Sequence, residues 1–211
     1  MNRRLVVHLL GAILLIEGLA MVPSCLIALG HGDGDVYAFL ITILLLAALG
    51  LPCWHFARPT EKNLRAREGF LVVALSWVLL SAFGALPFVI SGEIPSFVDA
   101  LFETVSGFTT TGCSILTAVE GLPRGILFWR SFASWIGGMG VLLFTLAFLP
   151  RVGGRTQVLV HAEVPGPIFS KLVPKTSLSS RILYSIYIAF TGAETLALCL
   201  AGMPFYDALL T

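Results

Sequence analysis

Of the 211 residues, 57% are hydrophobic and 12% charged, the mean hydropathy is +0.93 and the formal net charge is +1. That balance excludes an ordinary soluble domain and describes a chain that crosses a membrane several times. A charge so near zero gives no reason to expect nucleic acid as a partner. Cys25, Cys53, Cys113 and Cys199 lie in separate apolar stretches without metal-ligand spacing; they read as buried free thiols, not as a disulfide framework.

Five stretches are long enough to span: about Leu5–Leu29, Val36–Phe56, Phe70–Ile90, Ile126–Leu149 and Ile182–Met203. The first follows Arg3-Arg4 like a signal peptide, but it is too long for a signal core. It holds Glu17 and Pro23 and lacks a small-residue cleavage site, so it reads as a retained helix. Arg3 and Arg4, then Arg58, Lys62, Arg65 and Arg67, then Arg151, Arg155, Lys171, Lys175 and Arg181 make up 11 of the 13 basic residues. They fall at the N-terminus and in alternate loops, whereas the other loops carry Asp33, Asp35, Glu93 and Glu120. The positive-inside rule makes the N-terminus and both basic loops cytoplasmic. The alternation closes only if the segment Ser96–Thr117 enters and leaves on the same, outer side.

That segment has the matching character. Ser96 is a plausible N-cap with Asp99 in the capping-box position. A helix from Ser96 to Ser106 is roughly 16 Å long, half of a hydrocarbon core about 30 Å thick. After it come Thr109-Thr110-Thr111-Gly112-Cys113-Ser114. Irregular backbone at membrane depth is tolerated only when buried in protein or lining a watery cavity. Threonines add hydroxyls beside backbone carbonyls, and Gly112 permits the positive φ that turns successive carbonyls toward one axis. Carbonyls so arranged replace the hydration shell of potassium, and the C-terminal end of the preceding helix adds negative potential. For the Thr-Gly string alone, an ordinary polar loop remains the competing interpretation.

A short internal repeat supports the first interpretation. Phe97-Val98-Asp99-Ala100-Leu101 matches Phe205-Tyr206-Asp207-Ala208-Leu209 at four of five positions, each copy following an apolar span. A duplicated helix–pore-loop–helix unit is expected, with drift around the match. The second Thr-Gly string would then lie past Thr211, so the 211 residues are expected to be a piece of a longer chain that does not conduct alone.

With these residues in view, the chain resembles the TrkH/KtrB family of bacterial potassium transporters, closest to the TrkH branch. Carrying the resemblance are Arg67-Glu68-Gly69-Phe70, Leu101-Phe102-Glu103, Ser106 to Gly112, Trp129-Arg130-Ser131 and Trp135-Ile136-Gly137-Gly138-Met139-Gly140. Glu163-Val164-Pro165-Gly166-Pro167, Lys171, Pro174-Lys175 and Ile186-Tyr187 extend it. The resemblance implies an all-α membrane protein: a transmembrane hairpin (1–60), a first helix–pore-loop–helix repeat (61–150), a cytoplasmic connector (151–181) and the start of a second repeat (182–211). It further implies potassium uptake across the bacterial cytoplasmic membrane, with Thr110, Thr111, Gly112 and Cys113 as one quarter of a selectivity filter and potassium held at Thr110 and Thr111. Cys113 departs from the small residue expected there. The family also implies membrane lipid, a homodimer and a cytoplasmic nucleotide-binding regulatory ring as partners. No cofactor is expected in this chain; nucleotide enters only through that ring, and potassium is substrate.

Gly137, Gly138 and Gly140 suit close helix packing, with a gating hinge as the alternative. Arg130 is expected to snorkel or to pair with an acid such as Glu103, a pore-mouth charge being the alternative. Glu17 and Glu194 are intramembrane acids, and interhelical hydrogen bonding is expected of Glu17 in a peripheral hairpin. His8, His31, His55 and His161 share no spacing that suggests a metal. No H-E-x-x-H, G-x-S-x-G or Walker A pattern supports an enzyme. The rival functions are a non-conducting membrane subunit or scaffold and, further off, an intramembrane hydrolase.

Overall fold

A computed structural model of the chain describes residues 3–57, 66–119, 121–140 and 176–211. Every regular element among them is helical: α1 (Arg3–Ala20), α2 (Val22–His31), α3 (Val36–Phe56), α4 (Ala66–Gly84), α5 (Leu86–Ser91), α6 (Phe97–Phe108), α7 (124–140), α8 (Thr176–Leu200) and α9 (Phe205–Leu210). The chain forms two compact units, Met1–Trp135 and Ile136–Thr211. Four stretches are long and apolar enough to cross a membrane: Arg3–His31, Val36–Phe56, Arg67–Ser91 and Arg181–Leu200. They match four of the five expected spans. The fifth, Ile126–Leu149, is described only as far as Gly140, and most of the basic loop residues lie outside the described residues.

Two spans are broken where unbroken helices were expected, and proline is the cause. Pro23 and Pro87 each sit at the start of a new helix, α2 and α5. Neither offers an N–H to the carbonyl four residues back. The backbone nevertheless carries on through each joint: Met21 N–H donates to Glu17 O at 3.0 Å and Ala85 N–H to Ser81 O at 3.1 Å. Each joint is therefore a kink and not an end. Pro52 lies inside α3 and leaves the helix running to Phe56.

In the first unit the largest buried side chains are Met21, Phe39, Leu46, Phe88, Phe108 and Trp129, contributed by α3, α5, α6, α7 and the α1–α2 joint. The four cysteines are free as expected, but none is fully buried, and Cys113 is exposed. Helices α1 and α3 touch through glycines. A Cβ on Gly11 would fall 2.7 Å from Cys53 Cβ, 2.7 Å from Trp54 N and 2.9 Å from Gly50 O. Only a residue without a side chain admits that approach. The contact is closed off by His8 Nδ1, which donates to the Trp54 carbonyl at 2.7 Å.

One end of this unit is tied together by loops. The Arg124 N–H, at the start of α7, donates to Asp33 Oδ2 at 3.0 Å. Tyr37 OH, at the start of α3, donates to Ile90 O at 3.1 Å, near the end of α5. The chain therefore leaves α5 and re-enters α7 at the same end of the bundle. The expected return of Ser96–Thr117 to its own side is consistent with that arrangement. Asp33, expected only as an outward loop acid, is also a cap for α7, supplying the negative group that a helix N-terminus favours.

In the second unit α8 closes on a left-handed glycine, Gly202 (φ 99°), with Met203 N–H donating to Leu198 O and Gly202 N–H to Cys199 O. This paired pattern is a Schellman cap. Helix α9 then opens at Phe205 after Pro204, as α6 opens at Phe97 after Ser96. Both copies of the five-residue repeat thus begin a short helix just after a spanning one.

Substituting Gly11 with Ala should already strain the α1–α3 contact, because backbone atoms stand where the methyl would go. A loss of about 1–3 kcal/mol is expected from overpacking of this kind, read as a lower melting temperature in detergent. A matching Gly30→Ala change, where nothing lies within 4 Å of the new Cβ, should leave that temperature in place.

Candidate ion-binding site

The returning segment is built around α6. Ser96 is its N-cap, with extended backbone (φ −78°, ψ 119°) and an Oγ that accepts the Asp99 N–H at 3.4 Å. At about 1.5 Å per residue the 12-residue helix is roughly 18 Å long, running two residues further than expected. Its C-terminus is also a Schellman cap: Thr111 N–H donates to Ser106 O at 3.0 Å and Thr110 N–H to Gly107 O at 2.9 Å. The left-handed position of that cap is held by Thr110 (φ 56°), where glycine is usual. Among the described residues no other non-glycine has positive φ. A β-branched residue there carries strain of about 1–2 kcal/mol.

Beyond Thr110 the handedness alternates. Thr109 has φ −83°, Thr110 56°, and Gly112 75°, with Thr111 and Cys113 on the negative side. Alternation of this kind sets consecutive peptide groups the same way round, N–H groups along one edge and carbonyls along the other. A Cβ on Gly112 would meet nothing within 4 Å, so the backbone angle, not crowding, calls for glycine. The hydroxyls add local support: Thr109 Oγ1 donates to Val105 O at 2.7 Å and lies 2.8 Å from Thr111 Oγ1. Residues Thr109 to Ile115 are all exposed.

The far side of the loop is fastened by Glu103. Its carboxylate lies on α6, with the side chain 2% exposed. Arg130 Nε, from α7, donates to Oε1 at 2.6 Å. Ser114 Oγ stands 3.0 Å from both carboxylate oxygens, and the Ile115 N–H donates to Oε2 at 3.1 Å. Residues 110–113 thus hang between the cap of α6 and the clamp at Glu103. The neighbouring Trp129 fixes α7 against α4 by donating its indole N–H to Gly84 O at 2.9 Å, and its ring meets Phe108 edge-on at 6.3 Å.

The structure therefore brings Thr110, Thr111, Gly112, Cys113 and Arg130 into one construction. Arg130 pairs with Glu103, as anticipated. Gly137, Gly138 and Gly140 are helical, in the part of α7 that belongs to the second unit. Glu194 is exposed on α8. Glu17 departs from expectation: it is 2% exposed, and neither carboxylate oxygen has a hydrogen-bond partner among the described residues. It is not peripheral either, since a Cβ on Gly84 would lie 3.4 Å from its Oε1 and 2.9 Å from Thr104 Cγ2 of α6. Sequence reasoning also missed the bonds from Ser114 and Ile115 to Glu103. An acid in the middle of an apolar 12-residue helix, beyond the Asp99 of its first turn, was the available signal.

Residues 36–206 match the TrkH family, described as a cation transport protein. The chain belongs to that family. It is 38% identical over 211 residues to the Trk system potassium uptake protein TrkH of Halomonas elongata, covering 99% of this chain and 44% of that protein. The Salmonella typhimurium TrkH is 39% identical over 212 residues with the same coverage, and TrkG of Escherichia coli is 36% identical over 208. The crystal structure of the potassium transporter TrkH from Vibrio parahaemolyticus superposes with a TM-score of 0.83 at 34% identity. It takes in 100% of this chain and 42% of that one. The chain thus spans less than half the length of these TrkH relatives, and it is an all-α membrane protein of their fold.

Removing the clamp should be costly. Glu103→Ala leaves Arg130, Ser114 and the Ile115 N–H without their acceptor, an expected loss of about 3 kcal/mol or more for a broken buried pair. Glu103→Gln keeps an acceptor and should lose less. Thermal unfolding of the two variants, with Arg130→Met and the double variants completing a cycle, would show a coupling near zero if the ion pair carried no weight.

Proposed function

We propose that this chain supplies one wall of a potassium-uptake pore in the bacterial cytoplasmic membrane, with the backbone of Thr110, Thr111, Gly112 and Cys113 as one quarter of its selectivity filter. The observation that carries the reading is the alternating backbone of Thr109–Gly112, presented on an exposed loop and clamped at both ends. A row of like-facing carbonyls offers a weakly hydrated monovalent cation a substitute for its water shell. Potassium would be held at Thr110 and Thr111. Helix α6 points its C-terminal end at the same place, adding partial negative charge. Supporting the choice of ion, the relatives in Halomonas, Salmonella and Escherichia are named potassium uptake proteins.

The same proposal divides the chain into a transmembrane hairpin (1–60), a first repeat (61–150), a cytoplasmic connector (151–181) and the opening of a second repeat (182–211). The basic N-terminus and the basic loops face the cytoplasm, so α6 descends from outside. Gly137, Gly138 and Gly140 then sit on the inner half of the pore, where close packing or a hinge has its effect. Arg130, beyond its pairing with Glu103, would add positive charge near the pore mouth. The assembled transporter works as a homodimer in lipid on a cytoplasmic nucleotide-binding ring; nucleotide acts through that partner, and potassium is the substrate.

The filter reading predicts that Gly112→Ser, placed in the complete transporter, weakens potassium-over-sodium selectivity while expression stays intact. Strain at positive φ is worth about 1–2 kcal/mol, enough to displace carbonyls whose positions set selectivity. Rubidium-86 uptake with sodium as competitor measures it, and unchanged competition removes Gly112 from the filter. Orientation is tested separately by labelling single cysteines in a background lacking the four native thiols. A cysteine at Lys62 should react only from the cytoplasmic side, and one at Glu93 only from outside.

A further inference from the structure

We infer that Ser114 is a positioning residue for cation discrimination: through its hydroxyl on Glu103 it sets where the backbone of Gly112 and Cys113 stands. The inference rests on the filter role given to that backbone under Proposed function.

What holds the loop differs at its two ends. Thr110 and Thr111 donate their N–H groups to Gly107 O and Ser106 O, at 2.9 and 3.0 Å. Those bonds are backbone on both sides, so no loss of a side chain deletes them. Among the described residues Gly112 and Cys113 take part in no hydrogen bond. A Cβ on Gly112 would meet nothing within 4 Å, and Cys113 is exposed. Neither pairing nor crowding fixes these two residues from the side. The next anchor is Ser114, whose Oγ stands 3.0 Å from both Glu103 oxygens and accepts the Leu116 N–H at 3.1 Å. Gly112 and Cys113 thus hang between a backbone anchor and a side-chain anchor. Two residues reach at most roughly 7 Å and have few torsions to absorb a shift, so movement of Ser114 is passed on to them.

The other end of the Ser114 bond is firm. The Glu103 side chain is 2% exposed, sits in mid-helix on α6 and is paired with Arg130 Nε at 2.6 Å. An ionised acceptor holds a hydroxyl more strongly than a neutral one does. Ser114 itself is exposed, so removing its Oγ opens no hole in the core. The Ile115 N–H, which reaches Oε2 at 3.1 Å, and Arg130 both keep their acceptor without it. Loss of the hydroxyl therefore loosens the returning arm and leaves the tie between α6 and α7 in place. Fold and discrimination are separable at this side chain, as they are not at Glu103 or Arg130. Discrimination between cations depends on how carbonyls are presented to the ion. A looser arm lets Gly112 and Cys113 close around a smaller ion, and sodium gains on potassium.

The test uses the complete transporter as wild type, Ser114→Ala, Ser114→Thr and Gly112→Ser. Rubidium-86 uptake with sodium as competitor gives the discrimination ratio and the maximal rate separately, and melting in detergent reads the fold. Ser114→Ala should lower the ratio by up to about tenfold, the worth of one modest hydrogen bond, with the melting temperature close to that of wild type. Ser114→Thr keeps the hydroxyl and should keep most of the ratio. If Ser114→Ala loses maximal rate at an unchanged ratio, only working molecules have been lost, and the inference is overturned. An equal loss of ratio in Ser114→Thr overturns it too, because the hydroxyl is then not the cause. An unchanged ratio in Ser114→Ala beside a changed one in Gly112→Ser leaves the filter standing and removes Ser114 from its positioning. Unchanged ratios in both count against the filter reading, and the inference falls with it. Should Ser114→Ala not fold, Glu103→Gln reads the same link from its other end by weakening the acceptor. Its ratio should fall, and an unchanged one overturns the inference.

Discussion

The construction hangs on one carboxylate. Glu103 is buried on a helix too short to span a membrane, and it gathers Arg130 from α7 together with Ser114 and Ile115 from the loop. Charge-assisted hydrogen bonds are about twice as strong as neutral ones, and this carboxylate uses both oxygens for them. Its removal would free both the loop's returning arm and the helix that follows. The cap of α6 and the Glu103 clamp lie at opposite ends of four residues. The strain stored at Thr110 persists because both ends are fixed; strained backbone survives only where its surroundings over-determine it.

Much of this was legible in the residues, for physical reasons that can be named. The N-cap at Ser96, the helix too short to span and the positive φ at Gly112 follow from local chemistry that sequence carries directly. The need for Ser96–Thr117 to return to its own side followed from charge alternation, and the Asp33–Arg124 and Tyr37–Ile90 bonds bring the flanking helix ends together. The duplicated five-residue string marks the start of a helix both times. What stayed hidden was long-range. Nothing local tells Glu103 to reach Ser114, or Asp33 to cap a helix 91 residues on. The kinks at Pro23 and Pro87 were readable in principle, since proline removes a helix hydrogen bond. An apolar run continuing on both sides outweighed them. Thr110 is the plainest case of tertiary override, because no sequence rule puts a β-branched residue in a left-handed turn.

Helix α6 also inverts the pattern of a soluble amphipathic helix. Glu103, Thr104 and Ser106 are buried, whereas Phe97, Val98, Phe102 and Val105 are exposed. In water that arrangement would be costly on both faces. In a bilayer it is the favourable one, because the outward face meets lipid or neighbouring apolar helices, while Glu103 and Thr104 find hydrogen-bond partners inside. The loop after it cannot use that solution. Thr109 to Ile115 are exposed and carry hydroxyls and backbone polar groups, and these cannot face hydrocarbon. They require either water or further protein around them. A cation replaces water only where carbonyls approach from several sides, and one loop covers one side. The proposed filter role of this loop therefore requires counterparts across an axis, whatever segment or chain provides them. The second copy of Phe-x-Asp-Ala-Leu opens α9 after the Schellman cap at Gly202, as the first copy opens α6.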